Sequence, residues 1–339
     1  MPTRRLVSLV ILASLAASAR AQLLSPYATR VVAYDTRGNA GGGVFAPNNL
    51  LGAPQGGGLA QGSLHVHTLG VGGEATLGFD VTIVDGPGCD LIVAENAFLT
   101  GGLDVFAEAV FVEVSSDGAN FARFPSRYVG PATSPGPYGT RPHGSFSGLA
   151  GQTPVLAGSA QAPNADPRDV VESGGDAFDL ADLASHPLVA QRLVDLRAIR
   201  FVRLVDVRSG LDLDSNGTPI LDAGAGSADV DAVIAIHVAE EPAPRGPSVA
   251  VRMRPDGTFD LEFGDPDGLA DLDLATLRVA AFGQPIDAAA LLGALAVTTL
   301  TTERIVFTWP YPLPADLRLR VAASVKDRAG ARSGDARTR

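Results

Sequence analysis

The sequence predicts an all-β protein: a jelly-roll β-sandwich domain followed by a smaller immunoglobulin-like β-sandwich. Three observations carry that prediction. Apolar runs are short and rich in β-branched and aromatic residues, turn-forming clusters of Gly, Pro, Asp and Asn separate them, and only one stretch repeats at helical spacing. With 39 Gly and 24 Pro in 339 residues the chain is too punctuated for a helical bundle, and at 46% hydrophobic it is too apolar for disorder.

The first element is an export signal over residues 1–21. Arg4 and Arg5 give it a positive start, an apolar run spans 6–18, and Ala19-Arg20-Ala21 is a small-x-small cleavage site. The run is shorter than the ~20 residues that a membrane span needs. Residues 22–244 follow as the first domain, with strands expected at 75–79, 91–95, 110–115, 121–123, 199–205 and 232–238. Val110, Val112 and Val114 alternate with Phe111, Glu113 and Ser115, which sets an apolar face against a mixed one. Ser116-Asp117-Gly118 supplies a turn. One helix is expected, capped by Ser185, opened by Pro187 and striped by Leu188, Val189, Leu193 and Val194. Residues 130–167 show no period and read as an excursion from the sandwich.

A boundary is expected at Glu240-Glu-Pro-Ala-Pro-Arg-Gly-Pro247, where prolines recur and the apolar alternation stops. The alternation restarts in 245–339, with strands at 249–253, 258–263, 276–282, 303–309 and 318–325 and a hairpin turn at Asp256-Gly257. That spacing fits an immunoglobulin-like sandwich without its disulfide, since Cys89 is the sole cysteine.

A net charge of −11 repels a phosphate backbone, so composition argues against a nucleic-acid partner. No later segment is apolar enough to span a membrane, so the mature chain is expected to be secreted, extracellular or periplasmic, with cell-surface association as a variant.

Chemistry concentrates in acidic loops. In Asp212-Leu-Asp-Ser-Asn-Gly-Thr-Pro-Ile-Leu-Asp222, the side chains of Asp212, Asp214 and Asn216 alternate, Gly217 permits a sharp turn and Thr218 offers its carbonyl; Asp222 follows near the end. Hard cations such as calcium are wrapped this way, although Ala223 stands where a helix–loop–helix site needs Glu. The alternative is a solvated Asx-rich turn. Asp90, Glu95, Asn96 and Glu108 form a second group, and Asp229-Val-Asp231 a third. Glu95 and Asn96 end an apolar strand, where a buried carboxylate needs a partner or a metal. These acids either complete a calcium shell or cap strands and turns. His65-Val-His67 places two imidazoles on one strand face, which suits zinc, but no third ligand is evident nearby. Common hydrolase signatures are missing, Cys89 reads as a small buried residue, and the acidic loop 265–273 needs nothing beyond turn chemistry.

Several ordered motifs in 31–237 resemble a family of bacterial secreted and cell-surface proteins, some of which carry an exosortase-type sorting tail. They are Leu51-Gly-Ala-Pro54, the stretch from Leu69 to Phe79, Asp85-Gly-Pro-Gly88, Glu95-Asn-Ala-Phe98, Phe111-Val-Glu-Val-Ser-Ser-Asp-Gly118, Phe178-Asp-Leu-Ala-Asp182, Phe201-Val-Arg-Leu-Val-Asp206 and Asn216-Gly-Thr-Pro-Ile-Leu-Asp222. The resemblance implies a discoidin-like, galactose-binding-like sandwich and carries no defined activity. Ala228-Asp-Val-Asp-Ala-Val233 keeps two acids of a family motif but lacks its aromatic residue, and no sorting tail is present, which favours release. The second domain resembles immunoglobulin-like modules of bacterial surface proteins.

The expected function is therefore that of an exported, calcium-stabilised, non-enzymatic binding or adhesion protein. Fold analogy favours carbohydrate as the ligand, as an extracellular glycan or cell-surface component. The alternatives are an enzyme acting on extracellular polysaccharide, which needs Glu95 and Glu108 facing an open groove, and a structural surface-layer component.

Overall fold

The computed structural model describes residues 24–38, 45–136, 138–223, 226–240, 247–265, 268–281, 284–301, 304–309, 311, 321–328 and 336–337. The expected leader 1–21 and boundary residues 241–246 lie outside them, as do Asp267 in the 265–273 loop, Phe282, Glu303 and 318–320. Strands make up 41% against 9% helix, so the protein is all-β, built from antiparallel sheets.

The larger sheet of the first sandwich runs in the order Arg30–Asp35, Glu74–Ile83, Ile199–Asp206, Val110–Ser115, Leu149–Ala150, with Ala122–Arg123 also paired to Val110–Ser115. The smaller sheet has Asp176–Phe178, Leu91–Glu95, Asp229–Ala235 and His67–Thr68. Alternation explains how they close. Val110, Val112 and Val114 join Leu77, Phe79, Val202 and Leu204 from the larger sheet and Leu91, Val93, Val230 and Val233 from the smaller in one buried cluster. Each such side chain contributes ~1.5–3 kcal/mol when fully withdrawn from water.

The outer face of the larger sheet is different. Glu113 there accepts from Nε of both Arg123 (2.7 Å) and Arg203 (2.6 Å), while the Arg123 guanidinium lies 4.1 Å over the Phe111 ring and that of Arg203 4.2 Å over Phe121. The mixed half of the alternating strand is thus roofed by arginine.

The excursion after Gly130 returns to the sandwich. Arg141–Pro142 pairs with Asp104–Phe106, Phe146–Ser147 with Arg127–Tyr128, and Leu149–Ala150 with the edge of Val110–Ser115. The expected helix shrinks to Pro187–Ala190, capped by His186 rather than Ser185: His186 Nδ1 accepts from Leu188 N at 3.2 Å. Arg192 adopts φ 60, which turns the chain out of the helix. Val194 is buried beyond it while Leu193 is 42% exposed, so the predicted stripe is broken.

A second pair of sheets follows. One runs Ser248–Met253, Phe259–Gly264, Arg304–Trp309, Ala296–Leu300, and the other Gln284–Ile286, Leu272–Ala281, Val321–Asp327, Ala336–Arg337. Val251, Leu261, Phe263, Leu277, Val279, Phe307 and Val325 fill the core between them. Among the described residues, no strand ladder joins the two pairs of sheets.

Among the described residues, they meet at the short helix 170–173. Asp169 caps the short helix Val170–Ser173 by accepting from Val171 N and Glu172 N, and both its oxygens also accept from Ser324 Oγ at 2.9 and 2.8 Å. Ala280 and Ala322 pack against Val170, Val171 and Ile236, and Arg278 pairs with Glu172 at 3.2 Å. Removing the hydroxyl leaves a buried carboxylate short of a donor, so Ser324→Ala should destabilise by about 1–3 kcal/mol in urea denaturation. The conservative Ser324→Thr should retain most of that stability.

Candidate metal centre

Carboxylates gather where strands of both sheets end. Glu95 closes Leu91–Glu95, Asp206 closes Ile199–Asp206, Asp229 opens Asp229–Ala235, and Glu108 and Asp222 lie in loops beside them. Each of three acids binds a loop through a backbone amide. Asp206 accepts from Ala228 N at 2.7 Å and Gly72 N at 2.8 Å, Asp222 from Ala109 N at 2.9 Å, and Glu95 from Asp229 N at 3.3 Å. The Asp229 carboxylate accepts from the Thr68 hydroxyl across the strand pair. Gly226 passes so close to Glu108 Oε1 that any side chain there would collide with it.

Positive charge is scarce here: Arg141 favours the charged form of Asp222 and His67 that of Asp229, and no cation acts on Glu95 or Glu108 in the same way. Among the described residues, none of these five acids forms an ion pair with Arg or Lys, and Glu95 Oε2 and Asp222 Oδ1 are buried with no hydrogen-bond partner. Burial and then the neighbouring Glu108 and Asp229 push the Glu95 carboxyl well above the usual range. Glu108 is raised to about 9, first by burial and then by Asp229, Asp206 and Asp222, all of them acidic. Burial likewise lifts Asp206 to about 7 and Asp222 to about 6. Asp229 is also raised by burial, against the Thr68 hydroxyl and His67.

Of the residues singled out in the sequence, Glu95, Glu108, Asp222 and Asp229 share this nest. Asn96 and Asp231 line a narrow crevice beside Glu95. There Asn96 Oδ1 accepts from Ser63 N, and Asp231 accepts from Gln55 N at 2.6 Å with His65 Nδ1 3.4 Å away. Asp212, Asp214, Asn216 and Thr218 stand apart in a loop that satisfies itself. Asp214 Oδ1 accepts from Asn216 N and Thr218 N and its Oδ2 from Tyr128 N, Thr218 O accepts from Asp214 N, and Asp212 pairs with Arg208 at 2.6 Å. Alternating oxygens serve here as an Asx-type turn. Asp206 belongs to the nest but was not singled out. Its signal was the same as that of Glu95, an acid ending an apolar strand.

Among the described residues, the one group of three acids with oxygens all within 4.8 Å of one another is Asp85, Asp90 and Asp179. The Asp90 carboxylate is already occupied by Gly86 N, Leu180 N and His237 Nδ1. No three nest carboxylates approach so closely, which accords with uncompensated like charges standing apart. His65 and His67 are not part of any group of three candidate ligands among the described residues: His67 Nδ1 donates to Phe45 O at 2.9 Å and His65 turns to Asp231. Cys89 is buried in an apolar cluster.

These features define an all-β protein with a buried acid nest, free of Arg or Lys ion pairs among the described residues, at one end of its first sandwich. No family model matches the chain, and no curated protein matches it. Among the described residues, no helix is long and apolar enough to cross a membrane.

The pH dependence follows from the raised carboxyls. The folded protein holds protons that the unfolded chain releases between the usual Glu value of 4.5 and about 9, so folding is favoured at the acid end of that window. In chelator-containing buffer the melting temperature should fall as pH rises from about 5 to 9. Glu108→Gln, which keeps the shape and removes the charge, should flatten that slope; an unchanged slope would disprove the assignment.

Proposed function

We infer that the chain is an exported, non-enzymatic binding or adhesion protein whose first sandwich is stabilised by calcium in the nest of Glu95, Glu108, Asp206, Asp222 and Asp229. One observation carries the reading: Glu95 is 1% exposed, its Oε2 has no partner, and its charged neighbours are acids. A buried carboxylate of that kind needs a proton or a cation. The surrounding donors are oxygens without sulfur, the set a hard cation takes, and calcium accepts 6–8 of them at ~2.3–2.6 Å in flexible geometry. Binding would draw the acids inward.

The charged start and Ala-x-Ala site of residues 1–21 and the family resemblance support export. The burial of Glu95 and Glu108, at 1% and 7% exposure, argues against a polysaccharide hydrolase, because no sugar chain reaches between them. The jelly-roll and immunoglobulin-like assignments of the two sandwiches rest on the strand spacing and on that resemblance.

Calcium that binds only the folded state adds ~2.7 kcal/mol at a hundredfold excess over its dissociation constant. Thermal melts of the full chain should therefore move upward with millimolar calcium and back with chelator. Glu95→Gln should abolish the response, whereas Asp85→Asn should leave it intact. A midpoint indifferent to calcium in the wild-type chain refutes the reading, and loss of the response only in Asp85→Asn moves the ion to the other cluster.

A further inference from the structure

The outer face of the larger sheet carries a groove of about 590 Å3 that shares Asp206 with the nest. Its floor is a cross-strand row, because Val205 lies opposite both Glu74 and Phe111 in the ladders. Arg123 covers the Phe111 ring from one side. Arg208 and Asp212 stand on the loop after Ile199–Asp206, and Arg37 on the turn after Arg30–Asp35. Val71, 45% exposed, adds an apolar rim.

The charges here are arranged unlike those of the nest. Arg208 pairs with Asp212 at 2.6 Å, Arg123 with Glu113 at 2.7 Å and Arg37 with Asp35 at 3.4 Å, so each guanidinium has a carboxylate beside it. Arg123 is the most firmly held of the three. Arg123 is held by stacking as well as by Glu113, and Gly72, at φ +67, passes so near the Arg208 stem that a Cβ would meet Cδ at 2.9 Å. Arg123 bonds Glu113 through its Nε.

The lining sets the arginines Arg37, Arg123 and Arg208 against the acids Glu74, Asp206 and Asp212, so the groove has no surplus cation to offer a phosphate, a sulfate or a uronate. Such an anion would have to displace Glu113 or Asp212 from its arginine. What the groove does offer is planar donors and acceptors side by side around Val205 and Val71. Vicinal hydroxyls match such pairs, and the C–H face of a pyranose matches Val205 and the rim. Side chains already held in one geometry lose little freedom when a ligand arrives.

We propose that this groove, walled by Arg37, Arg123, Arg208 and Asp212 over Val205, is the glycan site of the binding protein, and that its ligand is a neutral hexopyranose or pentopyranose chain. The site deepens the binding reading above but does not depend on calcium. Asp206, on the groove floor, holds Gly72 N on one side and Ala228 N on the other, so the nest and the groove share one structural acid.

Calorimetry of the full chain with cellohexaose, xylohexaose and mannohexaose, in calcium and again in chelator, tests the proposal, with polygalacturonate as the charged comparison. At least one neutral chain should bind in calcium. Arg208→Ala should weaken it at least tenfold without moving the melting temperature, while Arg197→Ala, elsewhere on the surface, should have no effect. The absence of binding by all three neutral chains, binding of polygalacturonate alone, or equal binding by Arg208→Ala overturns the groove. None of those results touches the calcium melts. Melts indifferent to calcium together with intact glycan binding would instead remove the cation and keep the groove.

Discussion

Withdrawing carboxylates from water at the strand ends is the constraint on which the first sandwich depends. The same acids serve as bolts and as a charge problem. Asp206 ties residue 72 to residue 228, Asp222 holds Ala109, and Glu95 holds Asp229 across the smaller sheet. A carboxylate accepting backbone amides gives a loop firmer anchorage than water can. Several such acids at one end repel one another through a poorly screening interior, which is why Glu108, with few donors of its own, is raised to about 9.

Strand positions were legible because alternation reports burial directly. Leu91–Glu95 and Val110–Ser115 coincide with the expected segments residue for residue. Ends were less legible where a ladder partner sets them. The strand expected at 232–238 instead spans Asp229–Ala235, because Asp229 faces Thr68 and Val230 faces His67 in the sheet. Beyond Ala235 the chain bonds the loop at Asp90.

The candidate site was half legible. Acids ending apolar runs, such as Glu95, were informative because burial follows from their neighbours. The loop at 212–222 was ambiguous for a physical reason: alternating Asp and Asn oxygens suit both a cation and the backbone N–H groups of a tight turn. Asp214 bonds three such amides, so its oxygens turn inward on the loop. Contact between the two pairs of sheets left no local signal at all. Ala280, Ala322 and Ser324 are small residues whose partners Val170, Val171 and Asp169 lie more than a hundred positions away.

The distribution of arginine sharpens the contrast between the nest and the rest of the molecule. This chain has a single lysine and neutralises its acids with arginine: Glu113 takes two, Glu262 takes two, and Asp212 and Asp260 take one each. Those acids keep one side toward solvent or toward the flat stem of a guanidinium. The nest acids face one another instead, and the backbone at Gly226 closes against Glu108 where a long side chain would have to enter. Arg141 comes near enough to act on Asp222, yet among the described residues it forms no ion pair there. A proton or a small ion is what such a space admits, and a proton neutralises one oxygen at a time whereas a divalent cation compensates several at once. That difference is the physical basis for preferring calcium in the nest and a neutral ligand in the groove, where arginine has already balanced the charge.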